Sequence, residues 1–172
     1  MPESITQTRF LGVNWRGGLL GGLVGGLLWL LIMMATAPLV GISVWAPLQY
    51  IAALVLGANA ALVNATFSWN VLAAGLFLHL FLSVLYTFVL GAYIRFHPIA
   101  NATFAGLIYG LILYILNFHL FGPAYPWFGA LLHPGTIFAH MVFGMAAAWV
   151  YIRVEQATDP IPPPQSEEPR FF

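Results

Sequence analysis

The stretch Arg16-GGLLGGLVGGLLWLLIMMATA-Pro38 decides the fold, because it is long, apolar and uncharged between an arginine and a proline. At about 1.5 Å per residue, a helix over residues 17–37 can cross a hydrocarbon core of about 30 Å. Three further stretches of this kind cover residues 70–94, 101–120 and 134–153. The sequence therefore predicts an all-α membrane protein with four transmembrane helices.

The five arginines indicate how these spans are oriented. Two precede the first span, one lies between the second and third, and two follow the fourth: Arg9, Arg16, Arg95, Arg153 and Arg170. The connections on the other side contain no Arg, Lys, Asp or Glu. Since cytoplasmic loops are enriched in Arg and Lys, both termini are predicted to be cytoplasmic. The predicted organisation is an N-terminal segment (1–16), a bundle (17–153) and a proline-rich cytoplasmic tail (154–172).

The composition excludes several classes of protein. Hydrophobic residues make up 61% of the chain and charged residues 6%, with a mean hydropathy of +0.90. Such a chain has too few charges for the surface of a soluble domain. There is no cysteine, which excludes disulfides and thiolate metal sites. The formal net charge of zero gives no indication of nucleic-acid binding.

Residues 47–63, between the first and second spans, are apolar enough for another crossing. A full crossing would place Arg9 and Arg16 opposite the other three arginines, against the charge asymmetry. We therefore expect a non-cytoplasmic half-helix that is re-entrant or interfacial. A flat, interfacial position is favoured because Gln49, Asn59 and Asn64 would then reach water or polar neighbours. The half-helix is expected to form a lid over the non-cytoplasmic mouth of the bundle.

Two short patterns indicate an internal repeat. Gly22-Leu23-x-x-Gly26-Leu27 in the first span matches Gly106-Leu107-x-x-Gly110-Leu111 in the third. The second and fourth spans each contain a histidine that is followed four residues later by a small residue, Ser83 or Gly144. These matches predict two tandem helical hairpins, related by a pseudo-two-fold axis along the membrane normal.

Small residues at four-residue spacing allow membrane helices to pack closely. The predicted packing residues are Gly18, Gly22, Gly26, Gly106 and Gly110. The first span has a second such stripe at Gly17, Gly21 and Gly25. One interpretation is packing of the first and third spans within the bundle. The other is a docking face for a further subunit, since two stripes are wider than one neighbour needs.

The membrane histidines are the candidate site. His79 and His140 lie at similar depth on spans that run in the same direction, with Asn117, His119 and His133 on the same side. Ionisable groups within a membrane are functional candidates. His79 and His140 could be axial ligands of a b-type haem. Alternatively, they could form a metal or quinone pocket with Asn117 and His119, or tie helices together as neutral hydrogen-bonded imidazoles.

Acidic residues are confined to the terminal segments: Glu3, Glu155, Asp159, Glu167 and Glu168. Carboxylate-assisted catalysis is therefore unsupported, and ion-coupled transport is disfavoured because no carboxylate lies within a span. We accordingly expect a protein that is not an enzyme.

The run VWAPLQYIAA at residues 44–53, the glycine-rich first span and the two histidine-bearing spans carry a resemblance. Over residues 17–153 the chain resembles a group of short bacterial four-helix inner-membrane proteins of uncharacterised function. Some of these bear an automatic "sodium:proline symporter" label, but true symporters of that name are far longer. The resemblance implies a location in the bacterial inner membrane.

Two functions follow as hypotheses. The first is a non-catalytic accessory subunit of a larger integral membrane complex, such as one for respiratory or photosynthetic electron transfer. It rests on the small size, the surplus glycine stripe and a proline-rich tail that needs a partner. The alternative is a small b-type haem or ligand-binding membrane protein that uses His79 and His140. The expected partners are the lipid bilayer and other membrane subunits, with no nucleic acid.

Overall fold

The computed structural model describes residues 9–10, 12–61 and 67–158, and most of this part of the chain is helical. The proline-rich segment from residue 159 onward and Asn64 lie outside the described residues. The helices are α1 (Trp15–Thr36), α2 (Ala46–Leu56), α3 (Trp69–Ile94), α4 (Ile99–Ile115) and α5 (Pro134–Thr158). Helix α5 thus continues past Arg153 into the stretch that was assigned to the tail.

Four of these helices are long and apolar enough to cross a membrane. A 3₁₀ segment (Ala37–Val40) extends α1, and a π-helical segment (Leu116–Phe121) extends α4. Many large apolar side chains on these helices face outward, and Phe77, for example, is 73% exposed. In a bilayer such side chains contact lipid rather than water. The prediction of four apolar helices in a multi-pass membrane protein is confirmed.

Helix α1 lies at the centre of the bundle and packs against both α3 and α5. Its two glycine stripes have different neighbours. A Cβ atom added at Gly22 would meet the backbone of Val84 in α3, whereas one added at Gly25 would meet the carbonyl oxygen of Phe143 in α5. Each stripe therefore faces its own helix of this chain, and the second stripe leaves no free docking face.

Helix α4 packs against α5 through a third set of glycines. Gly106 and Gly144 are in such close contact that a Cβ atom on either would collide with the backbone of the other helix. Gly110 lies equally close to the carbonyl oxygen of His140. All the predicted packing glycines are thus at helix contacts, but the first and third spans do not pack on each other. Their common neighbour is α5, because repetition along a helix identifies a small face without identifying its partner.

The helices α3 and α4 make little contact with each other. The order of packed helices across the bundle is therefore α3, α1, α5, α4, with an open side between α3 and α4. Helix α2 packs on α3, and the carbonyl oxygen of Leu48 lies against Gly75. The indole of Trp127 donates to the carbonyl oxygen of Tyr50 at 3.1 Å. In the described part of the apolar stretch 47–63, a short helix thus packs on the bundle and ends at Leu56, and Gln49 is buried in it.

A short hairpin closes one end of the bundle. Strands β1 (Arg9–Phe10) and β2 (Val13–Asn14) are antiparallel, and Gly12 between them has a φ of 79°, which favours glycine. Arg9 forms an ion pair with Glu155 of α5 at 2.8 Å. Arg95, which follows α3, donates to the carbonyl oxygen of Gly12. These contacts bring charged residues from β1 and from the ends of α3 and α5 to the same end of the bundle.

The junction between β2 and α1 is held by Asn14. Its side-chain oxygen accepts from the backbone N–H of Gly17 at 3.1 Å, which caps the helix. Its backbone N–H donates to the hydroxyl of Tyr151 at 3.1 Å, and its amide donates to Thr158 at 2.6 Å. These bonds fasten the first turn of α1 to the last turns of α5.

Candidate ligand-binding cavity

A cavity of about 380 Å³ lies on the open side of the bundle, between α2, α3 and α4. Its volume is within the range of small-molecule sites, about 300–1,000 Å³. Ile51 and Leu54 of α2, Leu82 of α3 and Leu113 of α4 contribute to apolar walls. At the inner side the lining includes Trp29 of α1 and His140 of α5, the two helices that form the packed centre.

His140 is held by two neighbours at the same ring nitrogen. Its Nδ1 lies 3.0 Å from the indole Nε1 of Trp29 and 2.8 Å from the carbonyl oxygen of Thr136. The ring is also in edge contact with Phe118, with centroids 5.6 Å apart. Its other nitrogen, Nε2, has no hydrogen bond among the described residues. The side chain is 5% exposed.

His79 is held by the backbone of α1, about one turn before Trp29. Its Nε2 lies 2.8 Å from the carbonyl oxygen of Gly26, and its own carbonyl accepts from Ser83 at 2.8 Å. Gly26 permits this contact because it brings α1 close to α3. The Nδ1 atom of His79 has no hydrogen bond in the part of the chain that the structure describes.

Trp29 joins the two histidines. Its ring centroid is 4.7 Å from that of His79 and 5.5 Å from that of His140. The structure therefore places His79 and His140 around one indole, at a common depth. A macrocycle coordinated by both imidazoles would have to displace Trp29, and with it the hydrogen bond to His140.

Two hydrogen bonds cross the open side of the bundle. The hydroxyl of Tyr86 in α3 donates to Asn117 Oδ1 at 3.1 Å, and Tyr109 of α4 donates to the carbonyl oxygen of Tyr86 at 2.9 Å. Tyr86 and Asn117 both line the cavity. These polar contacts link α3 and α4 at a position where apolar packing does not.

The π-helical segment Leu116–Phe121 forms the α4 side of the cavity. Within it, Asn117, Phe118 and Phe121 are lining residues. A π-turn is rare and is frequent at functional sites, because it changes where successive side chains point. Here it follows directly on the α-helical part of α4 that carries Leu113, another lining residue.

The remaining predicted histidines lie elsewhere. His119 is exposed, and its Nε2 is 3.3 Å from the hydroxyl of Tyr114, whose ring contacts His140. His133 precedes α5 outside the spans, 3.4 Å from Thr136 Oγ1, and burial lowers the pKa of its imidazole. Neither lines the cavity. Of the four predicted site residues, His79, His140 and Asn117 thus share the cavity and His119 does not.

Trp29 and Tyr86 are site residues that the sequence analysis did not identify. Their positions in the sequence could have identified both. Trp and Tyr are normally enriched at the two membrane interfaces, but Trp29 and Tyr86 lie well inside their spans. A tryptophan in the middle of a span has a buried N–H that needs an acceptor. That acceptor is His140.

The cavity has no charged side chain among its lining residues. Its polar groups are neutral donors and acceptors from imidazole, indole, phenol, amide and hydroxyl groups. Such a site suits a neutral molecule that is largely apolar and has a few polar substituents. Comparison with protein-family models, with curated proteins and with solved structures finds no match for this chain.

Proposed function

We propose that this protein binds a lipophilic small molecule in the cavity between α2, α3 and α4. The observation that carries the proposal is an apolar cavity with two histidines in its lining, of which His79 Nδ1 and His140 Nε2 bond to no other described residue. Imidazole nitrogens at a cavity wall can donate to or accept from a bound molecule.

The open side of the bundle supports entry from the lipid phase. Because α3 and α4 are joined mainly by the contacts of Tyr86, a molecule dissolved in the bilayer can reach the cavity between them. The proposed role is the binding or delivery of this molecule.

We also propose a membrane arrangement for this function. The protein is a bacterial inner-membrane protein with both termini cytoplasmic, built as two tandem hairpins, α1 with α3 and α4 with α5. Helix α2 is a non-cytoplasmic lid that borders the cavity through Ile51, Leu54 and Val55. The arginine asymmetry and the clustering of Arg9, Arg95 and Glu155 at one end of the bundle support this orientation.

Reporter fusions test the orientation. Fusions at the C-terminus are expected to report a cytoplasmic location, and fusions at Gly41, before α2, the opposite side. A C-terminal fusion that reports the non-cytoplasmic side would contradict the proposed topology.

The binding function is tested by organic extraction of the protein purified from its native membranes, followed by mass spectrometry. We expect a stoichiometric lipophilic compound with the native chain. Leu82→Trp, which fills the cavity, is expected to lose it. The matched control Phe81→Trp, at a neighbouring position that is 56% exposed, is expected to retain it. Equal recovery from both variants would reject the cavity as the binding site.

A second proposal is that the protein serves as a subunit of a larger membrane complex. It is supported by the open side of the bundle at the cavity, which fits a protein that holds a compound for another subunit to use. Purification in mild detergent should then yield stoichiometric companion chains. A monodisperse monomer that retains the compound would count against the complex while leaving ligand binding intact.

A further inference from the structure

The Nδ1 atom of His140 has two neighbours that require opposite protonation states of this atom. The indole Nε1–H of Trp29 can only donate, so at 3.0 Å it requires a lone pair on Nδ1. The carbonyl oxygen of Thr136 can only accept, so at 2.8 Å it requires a proton there. A neutral imidazole nitrogen satisfies one of these neighbours at a time.

Of the two possible hydrogen bonds at Nδ1, the one from Trp29 is favoured. The carbonyl oxygen of Thr136 already accepts the backbone N–H of His140 within α5, because residues four apart are paired in an α-helix. The indole N–H, in contrast, has no other acceptor among the described residues, and an unpaired buried donor is costly. The proton of His140 therefore lies on Nε2, the nitrogen that has no protein partner.

The tautomer of His79 is fixed by one contact. Its Nε2 lies 2.8 Å from the carbonyl oxygen of Gly26, and a carbonyl accepts only. The proton therefore lies on Nε2, and the free Nδ1 carries a lone pair. The two histidines thus leave one free donor, His140 Nε2–H, and one free acceptor, His79 Nδ1.

We infer that the ligand is a neutral ring compound of the quinol class, with an apolar tail and hydroxyl groups that both accept from His140 and donate to His79. This inference rests on the proposed binding function and specifies its ligand. The aromatic side chains of Phe118, Phe128 and Phe143 in the lining suit a flat ring. A carboxylate or phosphate head group is disfavoured because no Arg or Lys lines the cavity.

Three probes with the same decyl chain distinguish these possibilities: decylubiquinol, decylubiquinone and decylbenzene. Each is titrated calorimetrically, without oxygen, into the protein in nanodiscs. The quinol can pair with both histidines, the quinone with His140 alone, and decylbenzene with neither. We expect the affinity to fall about tenfold at each step, as expected when one buried group loses its partner. Equal binding of all three would leave lipophilic binding standing and overturn the donor–acceptor inference. Binding of none would reject the proposed function itself.

Variants show which histidine is responsible for each fall in affinity. His140→Phe should abolish the preference for the quinone over decylbenzene, and His79→Phe the preference for the quinol over the quinone. The control His119→Phe, at an exposed position outside the cavity, should change neither preference. Preferences that survive both cavity variants would overturn the inference.

Nitrogen-15 NMR of histidine-labelled native protein tests the tautomers without any added ligand. We expect protonated Nε2 and unprotonated Nδ1 for both His79 and His140. A protonated Nδ1 on His140 would reverse the hydrogen-bonding character of the cavity and overturn the inference.

Discussion

The seam between α4 and α5 and the cavity between α3 and α4 are two regions of one apolar bundle with opposite packing. At the seam, Gly106, Gly110 and Gly144 bring two backbones into direct contact. At the cavity, α3 and α4 carry Leu82, Tyr86 and Leu113 and stay apart. Lipid gives helices no hydrophobic reason to associate, so the size of facing side chains decides where they close.

The difference teaches where polar groups are tolerated in such a protein. Outside the cavity, some buried polar side chains bond to the backbone of their own helix, as Thr87 does to the carbonyl oxygen of Ser83 at 2.8 Å. The cavity collects side chains that bond between helices: Trp29 with His140, and Tyr86 with Asn117. We therefore expect the seam to dominate stability, whereas the cavity is the proposed binding site.

The largest effect is expected at the seam. Gly110→Ala places a Cβ atom against the carbonyl oxygen of His140, so the helices must separate. We expect a loss of about 3 kcal/mol in the free energy of unfolding, measured by thermal or denaturant unfolding in detergent. The matched control Gly129→Ala has open space around the new atom and should be nearly neutral. Equal melting of the two variants would remove the distinction between seam and cavity.

The next largest effect is expected at the cavity centre. Trp29→Phe removes the indole N–H and frees His140 Nδ1 to donate to Thr136. We expect a loss of about 1–2 kcal/mol and a move of the His140 proton from Nε2 to Nδ1, observed by nitrogen-15 NMR. Trp149→Phe, on the exposed surface of α5, is the control. An unchanged tautomer would show that Trp29 does not determine it.

Tyr86→Phe tests the polar link across the open side. It removes the bond to Asn117 and should lower the free energy of unfolding by about 1 kcal/mol. Tyr93→Phe, at a position that is 66% exposed on the same helix, should have no measurable effect. Equal stability of the two variants would mean that the hydrogen bond between Tyr86 and Asn117 does not stabilise the bundle.

The smallest effect is expected at the charged end of the bundle. Glu155→Gln breaks the ion pair with Arg9, whose side chain is 28% exposed, and should cost about 0.5 kcal/mol. The effect should change little with salt, because salt screens a partly buried ion pair less than an exposed one. A loss as large as that of Gly110→Ala would show that this end, rather than the seam, dominates stability.

Charge and hydropathy predicted the four apolar helices, because a bilayer requires long uncharged helical runs and few sequences supply them. The spacing of Gly18, Gly22 and Gly26 likewise predicted a close helix contact. It could not predict that α3 is the neighbour, because every span of this chain is apolar and small residues accept any of them. Only the three-dimensional structure identifies which helix is the neighbour.

The cavity was predicted in part. Counting inward along parallel spans placed His79 and His140 at one depth, and the structure brings both to Trp29. The same counting placed His119 with them at that depth. Residues two apart on a helix do not share a face, so Asn117 and His119 cannot both face the cavity. Asn117 lines it and His119 lies outside.

A crystal structure of the protein purified from its native membranes in a lipidic phase tests the central claim most directly. We expect non-protein density in the cavity between α2, α3 and α4, within hydrogen-bonding distance of His140 Nε2 and His79 Nδ1, with the glycine seam unchanged. A cavity closed by direct contact of α3 with α4, or one filled by the protein's own side chains, would contradict the claim that this side of the bundle is a binding site.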